Sequence, residues 1–113
     1  MFSFNVLAKH SQLSFSYGIP TRISLSTEHV NRIHFAGKQI KKIIGDTSQY
    51  NVILSDNRKD MFIQLNVEKE KIIHMSVIDV SGKVLDLEIR AISSRYPSIV
   101  TLVSDDIASL AIF

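Results

Sequence analysis

The chain has 113 residues, 13 Lys+Arg against 11 Asp+Glu for a net charge of +2, and 45% hydrophobic residues. That length fits a single domain spanning residues 1–113, and the composition is that of a folded chain; the near-balanced charge excludes both a polycationic nucleic-acid arm and an acidic tail. With no cysteine in the sequence, a disulfide framework, a thiolate zinc site and a thiol nucleophile are all excluded.

The start, Met1-Phe2-Ser3-Phe4-Asn5, has neither the basic residues nor the long apolar run of a signal peptide, so an exported form would have lost its leader ahead of Met1. No later stretch approaches the roughly 18 apolar residues of a membrane helix. There are 16 Ile and 9 Val but only 5 Ala, the reverse of a helical domain, because β-branched side chains lose rotamer freedom in helices. Leu13 to Tyr17 alternates apolar and polar, as a half-buried strand must, until Gly18-Ile19-Pro20 breaks it. Arg22 to Ser26 alternates again, and Ser26-Thr27-Glu28-His29 is suited to capping a single helical turn. Arg32 to Phe35 leads into a turn at Ala36-Gly37-Lys38. Gln39 to Ile44 returns, with Gln39, Lys41 and Ile43 on one face and Ile40, Lys42 and Ile44 on the other.

Tyr50 to Leu54 forms the next strand, closed by the polar run Ser55 to Asp60, and Met61 to Leu65 follows. Val67 to Lys71 is a charged turn. From Ile72 to Ile92, two apolar-rich arms flank Ser81-Gly82, a pair suited to a two-residue hairpin turn. On the second arm Leu85, Leu87, Ile89 and Ala91 form the core face, and Val84, Asp86, Glu88 and Arg90 the outer one. Ile99 to Val103 is a last strand after Pro97, and Ile107 to Phe113 is a further strand or a docked tail. Eight or nine short strands at regular spacing predict an all-β fold, an antiparallel β-sandwich or barrel.

Chemistry is sparse. Of His10, His29, His34 and His74, the nearest pair is five residues apart and crosses an element boundary, which does not fit the i,i+2 or i,i+4 spacing of metal ligands. None of the 15 serines stands in a glycine-flanked nucleophile elbow. The four glycines, Gly18, Gly37, Gly45 and Gly82, all lie at turns and build no phosphate-binding loop. The chain therefore reads as non-enzymatic, with no cofactor and no metal. A nucleic-acid reading rests on Lys38, Lys41, Lys42 and Arg32, with Phe35 and Tyr50 as the rings of a stacking platform; core placement of both rings, and lysines divided between two faces, weigh against it.

Ser24-Leu25-Ser26, then Asn31-Arg32-Ile33 and Phe35, then a turn with Gly37 and a strand ending Ile43-Ile44-Gly45-Asp46, follow each other in order. Tyr50-Asn51-Val52, Met61-Phe62-Ile63-Gln64-Leu65 and the hairpin from Met75 through Gly82 to Leu87 complete the series. This succession, from about Ile23 to Leu102, resembles the N-terminal domain of the TraK family, the secretin-like subunit of F-type conjugative type IV secretion systems. The family's proline-rich stretch after the hairpin is only loosely echoed by Ser94 to Leu102, and its members carry a signal peptide and a second, C-terminal β domain. The resemblance implies a β-sandwich from an exported, periplasmic protein associated with the outer membrane. It also implies a structural role in the outer-membrane core complex, beside copies of itself in a ring and with a TraV-like lipoprotein and a TraB-like channel protein as partners, with no direct nucleic-acid contact. Its signature residues, and candidates for an interface, are Asn31, Arg32, Phe35, Gly45, Phe62 and Gly82. For Asn31 and Arg32 two readings stand: a local turn plus a bidentate carboxylate pair, or, for Arg32, a subunit contact. The rival function is a small β-barrel that binds nucleic acid, which would retard an oligonucleotide and lose affinity steeply with salt.

Overall fold

The alternating segments pair into nine strands within residues 9–105, the part of the chain that the computed structural model describes. They are β1 (Lys9–Phe15), β2 (Thr21–Ser26), β3 (Asn31–Ala36), β4 (Ile40–Gly45), β5 (Tyr50–Leu54), β6 (Asp60–Leu65), β7 (Ile72–Asp79), β8 (Val84–Ile92) and β9 (Ser98–Ser104). A five-stranded sheet has the order β1-β9-β3-β6-β5, and a four-stranded sheet the order β2-β8-β7-β4. Their inner faces interdigitate: Ile33, Met61, Ile63 and Leu102 of the first sheet meet Leu25, Leu87, Ile89 and Ala91 of the second, all essentially without exposed surface.

The fold is the expected all-β sandwich, but its sheets are mixed, not purely antiparallel. Ladders β1–β9, β3–β9 and β2–β8 are parallel. The cause is connectivity: every connection between described strands reverses the chain, so all odd-numbered strands run one way. Wherever strands of like parity become neighbours, the ladder is parallel.

Other differences are local and each has a physical reason. β1 begins at Lys9 and ends at Phe15, leaving Tyr17 in the following turn, where its hydroxyl donates to Asp79 at 2.5 Å. Ser26–His29 makes no helical turn, because the Asn31 side chain takes both the N–H and the C=O of Ser26 and Ser26 Oγ accepts from Glu28 N. The β7–β8 loop has three residues between Asp79 and Lys83, with Gly82 alone at positive φ (+89°); Asp79 Oδ1 accepts from the N–H groups of Ser81 and Lys83 and fixes this longer turn. A bulge in β4 between Ile40 and Lys42 breaks the expected alternation. Ile40 and Ile43 turn inward, whereas Lys42 and Ile44 turn out. The expected strand or tail at Ile107 to Phe113 lies outside the described residues.

Candidate functional site

Arg32 stands on the outer face of the five-stranded sheet, since its neighbours Asn31 and Ile33 point inward. Registers place it between Phe62 on β6 and Ile99 on β9, with Ile53 beyond Phe62 and His10 beyond Ile99. One cross-strand row thus runs His10, Ile99, Arg32, Phe62, Ile53 across all five strands. Phe62 is 38% exposed and Ile53 71% exposed, so the row carries apolar surface to solvent on the β6/β5 side of a cation.

The carboxylate of Asp60 anchors this row. Arg32 Nε donates to Asp60 Oδ1 at 2.9 Å, and His34 Nδ1 meets the same oxygen at 2.9 Å. The contact is through Nε alone and not the two-pronged pair expected for Arg32, because Asp60 is shared with His34. The Arg32 side chain keeps 45% of its surface exposed. Burial pushes the Asp60 carboxyl upward, but the hydrogen bonds and charges of Arg32 and His34 outweigh it and hold the group below its ordinary value. Asp60 and Ile53 are the residues that sequence reasoning missed here. Asp60 lies 28 residues from Arg32, and only the β3–β6 register brings them together.

The other signature residues serve different ends. Asn31 is fully buried and makes five hydrogen bonds: its amide donates to the carbonyls of Ser26, His29 and Ile63 and accepts from the N–H groups of Ser26 and Ser98. It ties β2 of one sheet to β6 and β9 of the other. Phe35 is a core residue, stacked edge-to-face on Phe15 at 6.5 Å. Gly45 gives room to Tyr50, whose hydroxyl lies 2.3 Å from where a Cβ would sit. Gly82 supplies the turn described above. Of the six, only Arg32 and Phe62 come together on an exposed face, as direct cross-strand neighbours.

The platform needed for single-strand nucleic-acid binding does not form around these lysines, since Phe35 and Tyr50 are 3% and 4% exposed. Among the described residues no group of three or more His, Asp or Glu side chains is placed to hold a metal ion. A cleft of about 510 Å³ opens between the edges of β1 and β2, lined by Leu13, Arg22, Glu88, Arg90 and Ser98 among others. Its single carboxylate, Glu88, is paired with Arg22 at 3.0 Å, so the lining offers no acid–base couple. No helix among the described residues is long and apolar enough to cross a membrane.

Comparison with known protein families matches residues 14–109 to the model described as the TraK N-terminal domain. No curated protein matches the chain.

Proposed function

The chain belongs to the TraK family through its N-terminal domain, which makes it a conjugative-transfer protein, and from that premise we propose that it is a non-enzymatic structural subunit of the type IV secretion apparatus. In this reading it works in the periplasm, associated with the outer membrane, in a ring of its own copies. A TraV-like lipoprotein and a TraB-like channel protein are its partners. The observation that carries the reading is the family match over residues 14–109 combined with Arg32 beside Phe62 on an open face.

The physics of that face supports a lateral contact. Interfaces concentrate arginine and aromatic side chains at their energetic centres, because both bury large area while keeping directional bonding. Arg32 is held at one point by Asp60, and its side chain stays 45% exposed on the face of the sheet. Such preorganisation lowers the entropy lost on docking. A ring requires the same two patches on every copy to meet head-to-tail, and a flat sheet face with a fixed cation provides one of them.

The test is co-purification of the protein with its two proposed partners, for wild type, Arg32→Glu and Phe62→Ala. Loss of the complex in both variants is the expected result, with a nearly unchanged thermal midpoint for Phe62→Ala and a lowered one for Arg32→Glu, which sets a second carboxylate against Asp60. Retardation of a single-stranded oligonucleotide that weakens steeply with salt, and no capture of either partner, would replace this reading by the nucleic-acid one.

A further inference from the structure

We propose that the free edge of β5, together with the groove it shares with β4, receives an extended acidic–apolar peptide strand from another protein. The inference does not rest on ring assembly, which uses the outer face of the sheet: a chain that never formed a ring would still present this edge.

β5 is the last strand of its sheet. The β5–β6 hairpin is bonded Ser55 N to Asp60 O at one end and Asn66 N to Gln49 O at the other. In an antiparallel ladder bonded positions recur every second residue, so Asn51 and Ile53 also direct their backbone groups to β6. Tyr50, Val52 and Leu54 therefore aim three N–H and three C=O groups away from the sheet. The strand itself, Tyr50-Asn51-Val52-Ile53-Leu54, has no charge, proline or glycine. Edges left in this state are templates for pairing.

The opposing edge, β4, is blunted by several devices at once. It has a bulge, two lysines and an arginine laid across it: Arg58 Nε donates to Ile40 O at 2.6 Å, its terminal nitrogen donates to Lys41 O, and its own carbonyl accepts from Ile40 N. Between the two edges lies a groove of about 480 Å³. Half-buried Ile43, Val52 and Leu54 form its floor, and Lys41, Lys42 and Arg58 its rim. Among the described residues none of these three cations is paired with a carboxylate. A strand added to β5 would lie about 4.8 Å further out, over this groove, with every second side chain pointing to the apolar floor. Carboxylates along it would meet the rim.

That charge pattern selects the occupant. Edge β4 presents lysines and β2 presents Arg22, and pairing β5 with β5 of a second copy would bring two cationic rims together. The complement is an acidic segment of a different chain.

The experiment titrates the full chain with a fluorescent peptide of about nine residues that alternates Val or Ile with Asp or Glu. Saturable binding is expected, with slowed amide exchange at Tyr50, Val52 and Leu54 and none at β1 or β2. The Lys41→Glu, Lys42→Glu double variant, altered only at exposed positions, should weaken binding about tenfold, and added salt should weaken it too. Val52→Pro removes an edge N–H that β6 does not use and should abolish binding while the β5–β6 ladder persists. A lysine-for-carboxylate version of the peptide that binds equally well, or no binding at all, would overturn the proposal. So would slowed exchange elsewhere, or a concentration-dependent dimer protected at β5 without peptide.

Discussion

The two open sides of the sandwich treat their unpaired edges in opposite ways. On the β1/β2 side, cations are matched within the chain: Arg22 pairs with Glu88, Arg90 pairs with Glu70, and Asn31 ties the end of β2 to β9. On the β4/β5 side, Lys41, Lys42 and Arg58 face no carboxylate among the described residues, and the apolar floor between the edges is only half covered. The first side also opens as a cleft, but the charges along it are finished by its own side chains. The second is held open by them, because Arg58 spends its hydrogen bonds on β4 carbonyls and keeps its charge uncompensated. Two edges built from similar residue types thus differ in whether charge is neutralised internally or offered outward.

The largest expected effect breaks the finished side. Asn31→Ala deletes five hydrogen bonds and strands buried N–H and C=O groups of Ser26, Ile63 and Ser98. Unsatisfied buried polar groups make this cost about 3–5 kcal/mol, or a fall in Tm of roughly 15 °C, read by calorimetry. A small change would mean that the two sheets are joined at this side by apolar packing alone.

Two positions, Gly45 and Arg58, probe how the open side is propped. Gly45→Ala places a Cβ 2.3 Å from the buried Tyr50 hydroxyl and 3.2 Å from the His74 carbonyl, so ring or strand must move, at about 2 kcal/mol. Tyr50→Phe in the same chain should recover part of that loss in denaturant titration. Arg58→Ala removes the bonds to Ile40 and Lys41 and should cost about 1.5 kcal/mol. Arg58 sits at φ +58°, a left-handed conformation that glycine tolerates, so Arg58→Gly should be the more stable variant by about 0.5–1 kcal/mol. Equal stabilities for the alanine and glycine variants would show that the turn relaxes when the side chain is lost.

Much of this contrast is readable in the sequence, and what is not has a common cause. Alternation reveals the strands and the core face of β8, because side-chain direction there is purely local. The uncharged run Tyr50 to Leu54 and the lysine pair at 41 and 42 are equally visible. Which strands become neighbours is not, so the parallel ladders and the Arg32–Asp60 pair stay hidden until topology is known. The β4 bulge is hidden for the same reason: nothing in Gln39 to Ile44 marks it, and its stabilising partner, Arg58, comes from the other sheet's hairpin. Of the signature residues, Gly82 announces its turn role, whereas the burial of Asn31 depends on three separate strands closing around it.

The smallest effect expected concerns acid. Three carboxyls held below their ordinary value, Asp46, Asp60 and Asp79, all flank β4 or β5: Asp46 in the turn that joins them, Asp60 at the start of β6, and Asp79 opposite Ile40. Ser48 lowers Asp46 by donating from its hydroxyl and its backbone N–H. For Asp79, burial pulls upward, but the hydroxyls of Ser81 and Tyr17 and the N–H groups of Lys83 and Ser81 prevail. A depressed folded-state pKa contributes stability that is fully present above the unfolded value, near 3.9, and is lost as pH falls through the folded value. Lowering pH from about 5 to about 3 should therefore loosen the contacts these carboxylates hold, with amide protection declining first in the β4–β5 turn at Asp46, beside Asp60 in the β3–β6 ladder and in the β7–β8 turn at Asp79, before that in the middle of β2 and β8. Asp79→Asn should flatten this dependence while lowering stability at neutral pH. Protection lost uniformly across both sheets would mean that the acid-sensitive contacts stabilise the sandwich as one unit, and that the two sides differ in surface chemistry alone.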